Sequence, residues 1–209
     1  MMKQKIKYLV IFIALGILVF FAKGIYFALE AKNQENRSLT DIPTFSFKDL
    51  QANDYTNKNL PNDKSVVFIF FKSDCPYCQA EISKIAQNLD KFASAQLIFV
   101  STEDLIDILQ FAEHYQLNDK YNIIFLRDED NTFVKRFAAK SIPYVLIYNS
   151  QQKLVKRFKG LAKIDLITDE ISTNFANISL GNCLNDFLKK SPIEKWIKNI
   201  INHLSLLKS

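Results

Sequence analysis

The chain has 209 residues, enough for one domain with a substantial core and an appendage, but not for two large domains. Its net charge is +5, but residues 33–209 carry 22 lysines and arginines against 21 aspartates and glutamates, so the excess lies near the N-terminus. The sequence has no basic stripe and no glycine-rich RNA motif. These features argue against a nucleic-acid partner.

The N-terminal segment is basic and then apolar. Residues 3–7 read KQKIK, and residues 8–29 form an apolar run in which Lys23, followed by Gly24, is the only charged residue. A helix of this length crosses a bilayer core at about 1.5 Å per residue if Lys23 extends towards the surface. The basic flank favours a cytoplasmic N-terminus. We therefore predict a single-pass signal anchor over residues 1–32, in the cell membrane, with the domain facing the periplasm.

A cleaved signal peptide is the alternative to the anchor, because Ala22 and Gly24 are small residues at a spacing that suits cleavage. Residues 33–41 are polar and are predicted to form a linker to a domain over residues 42–177.

The domain shows strand and helix patterns in alternation. In chain order, strands are predicted over residues 42–47, 65–71, 96–100, 121–126, 144–148 and 154–158, and helices over residues 76–92, 103–115, 131–138 and 164–175. Residues 49–64 are predicted to be a loop. The run over 65–71 is apolar at nearly every position, as expected of a central strand covered on both faces. Together these elements predict an α/β sandwich with a mixed sheet.

Side-chain spacing adds detail to two of the helices. Core-facing positions are predicted at Ile82, Ile85, Ala86 and Leu89 in the helix over 76–92, and at Leu105, Ile108, Leu109 and Ala112 in the helix over 103–115. Ser101 or Thr102 is the predicted cap of the second helix.

The motif Cys75-Pro76-Tyr77-Cys78 lies where the strand over 65–71 gives way to a helix. Proline is tolerated at the first helical position, so Cys75 is the predicted N-cap. Unpaired backbone N–H groups and the positive end of the helix dipole favour a thiolate there, which predicts Cys75 as a nucleophile. Cys78 follows one turn later, within reach of a disulfide, and is the predicted resolving thiol.

This arrangement resembles the thioredoxin-like superfamily over about residues 40–176. The resemblance rests on a C-x-x-C between strand and helix, a late strand opened by Ile142-Pro143, and a final hairpin and helix. It implies a three-layer sandwich, a cis peptide bond at Pro143, and a redox-active Cys75–Cys78 disulfide with no other cofactor and no metal. The substrate-binding positions that it implies are Pro76, Tyr77, Ile142 and Pro143.

Within the superfamily, the predicted anchor and the 68-residue separation of Cys75 and Pro143 are similar to the extracytoplasmic TlpA and ResA type. That type often carries a glutamate three residues after the second cysteine, and Glu81 matches it. Glu81 can share a helix face with Cys78 and move protons for it if burial raises its pKa. A minimal thioredoxin has a shorter separation between the positions that match Cys75 and Pro143. The additional residues in this chain are expected to form an inserted strand and helix around positions 103–126.

The resemblance implies a thiol-disulfide oxidoreductase that exchanges disulfides with extracytoplasmic proteins, as a reductant supplied by a membrane thiol carrier. The chain departs from thioredoxins in two ways. Ile69 stands where a buried aspartate is common, and no tryptophan precedes Cys75. The rival function is a redox-silent or copper-handling binding protein that docks partners through its C-terminal helix.

Other cysteine chemistries are less well supported by the sequence. A zinc site would need Cys183, His114 and His203, which show no paired spacing. Copper handling would need a histidine or methionine near the cysteines. Peroxidase chemistry is disfavoured because Lys72 stands where peroxiredoxins have a threonine or serine three residues before the reactive cysteine.

Residues 178–209 are predicted to be a helical extension. Ser191, Pro192 and Glu194 form a helix-start signal for an amphipathic helix over residues 191–208. Three roles stay open for its apolar stripe: packing on its own domain, docking on a partner, and lying on the membrane. Cys183 is either a buried apolar residue or the site of an intermolecular disulfide.

Overall fold

The computed structural model describes residues 15–30 and 38–173 of the chain. Residues 15–30 are helical and are called α1. Within the described ranges, no helix is long and apolar enough to cross a membrane. Residues 8–14 of the predicted anchor lie outside these ranges, as do Cys183 and the predicted helix over residues 191–208.

A mixed sheet organises the described part of the domain, as predicted. Its seven strands are β1 (Ser46–Asp49), β2 (Asp54–Thr56), β3 (Ser65–Phe70), β4 (Ala95–Ser101), β5 (Ile123–Arg127), β6 (Tyr144–Tyr148) and β7 (Leu154–Lys159). Their order in the sheet is β2-β1-β5-β4-β3-β6-β7. The three inner strands β3, β4 and β5 are parallel, and the other pairs are antiparallel.

Helices and a long N-terminal segment cover the two faces of this sheet. The helices are α2 (Pro76–Gln87), α3 (Leu105–His114), α4 (Thr132–Arg136) and α5 (residues 164–173). One core cluster joins the sheet to α2, α3 and α5, and a second joins the opposite face to α4 and to the chain before β1. The expected three-layer α/β sandwich is therefore confirmed.

Strand β3 lies at the centre of this core. All six of its residues are buried, as its apolar pattern predicted. Val67 and Ile69 pack into the first cluster, whereas Val66, Phe68 and Phe70 pack into the second. Because neighbouring strands flank both edges and layers cover both faces, the end of β3 has a fixed position, and the C-x-x-C motif begins there.

The entry strand predicted over residues 42–47 was misplaced, since the strand runs over Ser46–Asp49. Ile42 and Phe45 are buried, but the backbone of this segment is hydrogen-bonded by a side chain and not by a neighbouring strand. The Asn57 amide accepts a hydrogen bond from the Phe45 N–H at 2.9 Å and donates one to the Pro43 carbonyl at 3.1 Å.

The loop predicted over residues 49–64 was also wrong in part, because it contains β2 and a 3-10 turn at Asn57–Asn59. The Asp49 carboxylate accepts hydrogen bonds from the N–H groups of Gln51 and Asn53, which closes the β1–β2 hairpin. Thr56 and Asn59 form a reciprocal capping box around the 3-10 turn.

Helix α2 begins at Pro76, as predicted, but ends at Gln87 rather than at Phe92. A separate 3-10 turn follows over Leu89–Phe92. The strand predicted from Tyr121 begins instead at Ile123.

The predicted cap of α3 was wrong. Ser101 ends β4, and the N-cap is Asp104, which makes no side-chain cap hydrogen bond. The buried face consists of Ile108, Phe111 and Ala112, while the predicted Leu105 and Leu109 are only half-buried.

Asp128 is a buried carboxylate that holds the start of α4. It accepts hydrogen bonds from the N–H groups of Thr132 at 2.8 Å and Phe133 at 2.7 Å. Its side chain is 1% exposed. Since these N–H groups have no partner within the helix, Asp128 satisfies donors that would otherwise be buried without one.

Replacement of Asp128 by alanine is expected to lower the free energy of unfolding by about 2 kcal/mol, because it leaves two helix-start donors without an acceptor. Urea denaturation of the purified protein measures this loss. Asp130→Ala is the matched control, since Asp130 is exposed and should change stability by less than about 0.5 kcal/mol. Equal losses in the two variants would contradict this role for Asp128.

Candidate active site

Cys75 lies at the junction between β3 and α2, in the predicted N-cap position. Its backbone is extended, with φ −83° and ψ 115°, and Pro76 occupies the start of the helix. The Cys75 N–H donates a hydrogen bond to the Lys72 carbonyl at 3.3 Å, which closes a tight turn after the strand. Cys75 is half-buried, so part of the residue is accessible to solvent.

Cys78 lies one turn along α2 and is fully buried. Burial raises the pKa of the Cys78 thiol well above its usual range. A backbone hydrogen bond from Lys72 opposes this rise, whereas the nearby Cys75 and Glu81 side chains add to it. Both cysteines are free thiols in the structure. The pair is thus asymmetric, with Cys75 half-buried and Cys78 fully buried.

Glu81 lies on the same buried face of α2 as Cys78. Its side chain is 0% exposed, and its Oε1 accepts one hydrogen bond, from the Ala162 N–H at 2.9 Å. Oε2 has no hydrogen-bond partner among the described residues. Burial raises the pKa of Glu81 to about 7, although the hydrogen bond from Ala162 opposes the rise. A group with this pKa exchanges protons readily near neutral pH.

The peptide bond between Ile142 and Pro143 is cis, as predicted. Strand β6 starts at the next residue, and Tyr144 pairs with Phe70 at the end of β3. This register places the Ile142–Pro143 loop beside the turn that leads from β3 to Cys75. Both Cys75 and Ile142 pack against the same core cluster.

A short segment after β7 connects Glu81 to the proline loop. The Gly160 N–H donates a hydrogen bond to the Pro143 carbonyl at 2.9 Å, and two residues later the Ala162 N–H binds Glu81. Gly160 has φ +86°, a backbone conformation that other residues rarely adopt. The segment therefore ties the buried carboxyl and the proline loop to one piece of backbone.

Glu103 anchors the turn before Cys75, a role that the sequence analysis did not assign. Its carboxylate accepts hydrogen bonds from the Ser73 N–H at 2.8 Å, the Ser73 hydroxyl at 2.7 Å and the Ser101 hydroxyl at 2.8 Å. The Gln79 amide donates to the Ser73 carbonyl at 2.8 Å. All three polar groups of Ser73 are thereby bound, two residues before Cys75.

The other predicted site residues remain on the surface. Tyr77, within the C-x-x-C motif, is 64% exposed, and Pro76 is also exposed. The described residues give neither side chain a polar partner, so their predicted contact with substrate stays a prediction.

A comparison with family sequence models decides the classification of the chain. The model of the AhpC/TSA family matches residues 39–159, which is more than half of the chain. The chain belongs to the AhpC/TSA family. The matched region contains Cys75, Cys78, Glu81 and Pro143. A search of the curated proteins found no match.

Solved structures share the fold of this AhpC/TSA chain at low sequence identity. A secreted Mycobacterium tuberculosis disulfide oxidoreductase homologous to E. coli DsbE is 19% identical, with 66% of this chain and 98% of that chain covered and a TM-score of 0.53. StoA from Bacillus subtilis is 16% identical, with 63% and 98% covered and a TM-score of 0.50. Peroxidoxin BcpB from Mycobacterium tuberculosis is 19% identical, with 65% and 94% covered and a TM-score of 0.55. These likenesses establish a thioredoxin-like fold.

The raised pKa of Glu81 makes the stability of the protein depend on pH. Glu81 has a pKa of about 7 in the folded protein, whereas its ordinary value is 4.5. As the pH rises between these values, the carboxyl loses its proton in the unfolded chain before it does so in the folded protein. The wild type therefore loses stability over this pH range. Glu81→Gln removes the effect, and its stability relative to wild type is expected to rise by about 2–3 kcal/mol from pH 5 to pH 8. Urea denaturation at several pH values measures the difference.

Glu113→Gln is the control for this experiment, because Glu113 is an exposed glutamate on α3. Its stability curve should stay parallel to that of the wild type. A parallel curve for Glu81→Gln as well would show that Glu81 does not have a raised pKa.

Glu103→Ala is expected to destabilise the protein by about 2 kcal/mol, since it removes the acceptor of three hydrogen bonds around Ser73. Glu103→Gln should cost less, because its amide oxygen still accepts from the Ser73 N–H while the serine hydroxyls reorient. Glu113→Ala serves as the control. If Glu103→Ala unfolds at the same urea concentration as that control, the anchoring of the turn by Glu103 is wrong.

Proposed function

We propose that the chain is a thiol-disulfide oxidoreductase that exchanges disulfides with protein substrates through Cys75 and Cys78. The observation that carries this proposal is the asymmetry of the pair: Cys75 is half-buried at the start of α2, whereas Cys78 is enclosed one turn later. An accessible first thiol can attack a substrate. An enclosed second thiol meets only the intermediate that forms beside it.

The proposed reaction has two exchange steps. The Cys75 thiolate attacks a substrate disulfide, a bond forms between Cys75 and one substrate sulfur, and the other substrate sulfur leaves as a thiolate. Cys78 then attacks the Cys75 sulfur, releases the second substrate thiol and closes the Cys75–Cys78 disulfide. The substrate gains two electrons and the cysteine pair loses them, so no further cofactor is needed. The reverse steps oxidise a dithiol.

Glu81 is the proposed proton acceptor for the second step. Cys78 must lose its proton before it attacks, and its burial opposes that loss. The Glu81 carboxyl lies on the same helix face with one unpartnered oxygen among the described residues and a pKa of about 7. It can therefore take the proton in the enclosed space where water has little access.

The finer assignment that we propose is a membrane-anchored protein of the TlpA and ResA type, with its domain facing the periplasm. It is supported by the apolar run at residues 8–29 and by Glu81 three residues after the second cysteine. In this role the protein reduces external proteins, such as apocytochromes, with electrons from a membrane thiol carrier. The proposed substrate contacts are Pro76, Tyr77, Ile142 and Pro143.

A peroxidase is the second candidate, favoured by membership of the AhpC/TSA family and the structural likeness to peroxidoxin BcpB. Against it, Lys72 stands three residues before Cys75, where peroxiredoxins have a threonine or serine. A lysine ammonium donates hydrogen bonds but, unlike a hydroxyl, does not accept them.

Insulin reduction by the purified full-length protein, with dithiothreitol as electron source, tests the main proposal. Cys75→Ser is expected to abolish the catalysed rate, and Cys78→Ser to accumulate a mixed disulfide at Cys75 that is visible by mass spectrometry. Cys183→Ser makes the same substitution outside the proposed pair and should keep the wild-type rate. Full activity in Cys75→Ser would refute the proposal, and rapid Cys75-dependent consumption of hydrogen peroxide without insulin reduction would favour the peroxidase.

A further inference from the structure

A cavity of about 430 Å³ lies next to the turn that leads from β3 to Cys75, and neither Cys75 nor Cys78 lines it. It opens at the sheet edge where the parallel strands β3 and β4 both end, with walls formed by the residues after these strands, by α4 and by the chain before β6. In α/β folds, the crevice outside the carboxyl ends of parallel strands is the common place for a ligand. The volume lies within the usual range of ligand pockets, about 300–1,000 Å³.

The polar lining of the cavity suits an anion. The charged side chains that line it, Lys72 and Lys140, are both cationic. Ser141 also lines it, and the Ser141 hydroxyl is shielded from solvent with no hydrogen-bond partner in the described part of the chain. Lysine ammonium groups and a hydroxyl are donors, and a carboxylate is an acceptor that can satisfy several donors at once.

Lys72 connects the cavity to the redox pair. Lys72 lines the cavity, and its carbonyl accepts the hydrogen bond from the Cys75 N–H. Ile142 also lines the cavity, and it immediately precedes the cis Pro143. The cavity therefore touches both the turn that leads to Cys75 and the Ile142–Pro143 loop, which is a proposed substrate contact.

We propose that this cavity is a substrate subsite for an acidic side chain, aspartate or glutamate, close in sequence to the cysteine that Cys75 attacks. The subsite rests on the proposed function, because it needs a polypeptide bound along Pro143. Lys72 and Lys140 supply the charge that selects a carboxylate. The chain would thus discriminate among external disulfide proteins by the charge of the residues that flank their cysteines.

Binding can be tested without any redox chemistry by titrating the full-length protein with short extended peptides followed by NMR. The peptides carry serine in place of the substrate cysteine and differ only in a neighbouring residue, which is glutamate, glutamine or leucine. The wild type is expected to bind the glutamate peptide about two- to fivefold more tightly than the glutamine peptide, as for an ion pair with exposed lysines. Added salt should reduce this ratio.

Lys72→Met keeps the length of the side chain and removes its charge, so the preference for glutamate over glutamine should fall towards one. Lys140→Met is the second variant and should also reduce it. Lys84→Met is the matched control, because Lys84 is an exposed lysine in the last turn of α2, and it should keep the wild-type ratio. A wild-type ratio of one, a ratio unchanged in Lys72→Met, or tighter binding of the leucine peptide would overturn the subsite.

Insulin reduction, measured on the same preparations, separates this result from the proposed function. A protein that reduces insulin but binds the glutamate and glutamine peptides equally has the proposed activity without the subsite. A protein that prefers the glutamate peptide through Lys72 but does not reduce insulin has a binding site for acidic peptides. The oxidoreductase proposal is then the one that fails.

Discussion

The burial of one face of α2 against the centre of the sheet is the constraint on which the rest of the site depends. Cys78, Glu81, Ile82 and Ile85 all lie on that face, and the apolar members hold the helix against β3 through the shared core. Glu81 is carried into this apolar layer with a single hydrogen bond, so the packing that stabilises the fold also raises the pKa of this carboxyl and of the Cys78 thiol on the same face. The stability that the apolar residues contribute offsets the cost of that burial.

The accessible half of the site is arranged by hydrogen bonds rather than by packing. Because β3 and β4 are parallel, the turns after them meet at one edge of the sheet, and Glu103 after β4 binds Ser73 after β3. On the other side of β3, the antiparallel β6 brings Pro143 to the same edge. The strand order thus assembles three loops around Cys75, and none of them is close to another in sequence.

Sequence patterns predicted the parts of this fold that depend on local chemistry. The apolar run of β3 and the proline after Cys75 each determine a structure within a few residues, and the strand and helix start followed directly. Features that depend on distant partners could not be predicted in the same way. For example, the Phe45 N–H binds the Asn57 amide instead of a neighbouring strand, and these residues are twelve positions apart. Ser73 and Glu103 are an intermediate case: each follows a predicted strand, and their contact follows once those strands are known to be parallel neighbours.

Membership of the AhpC/TSA family describes the scaffold, whereas the chemistry depends on individual side chains. Position 72 illustrates this division. Its backbone carbonyl accepts the hydrogen bond from the Cys75 N–H, so this hydrogen bond of the turn does not depend on the lysine side chain. A hydroxyl at this position would accept and donate hydrogen bonds beside a small oxidant, but a lysine offers only positive charge on a long stem. Lys140 and Ser141 line the same cavity, and the positive charge there suits a larger anionic partner. The Lys72 side chain that weakens the case for a peroxidase is therefore the one that supports recognition of a polypeptide.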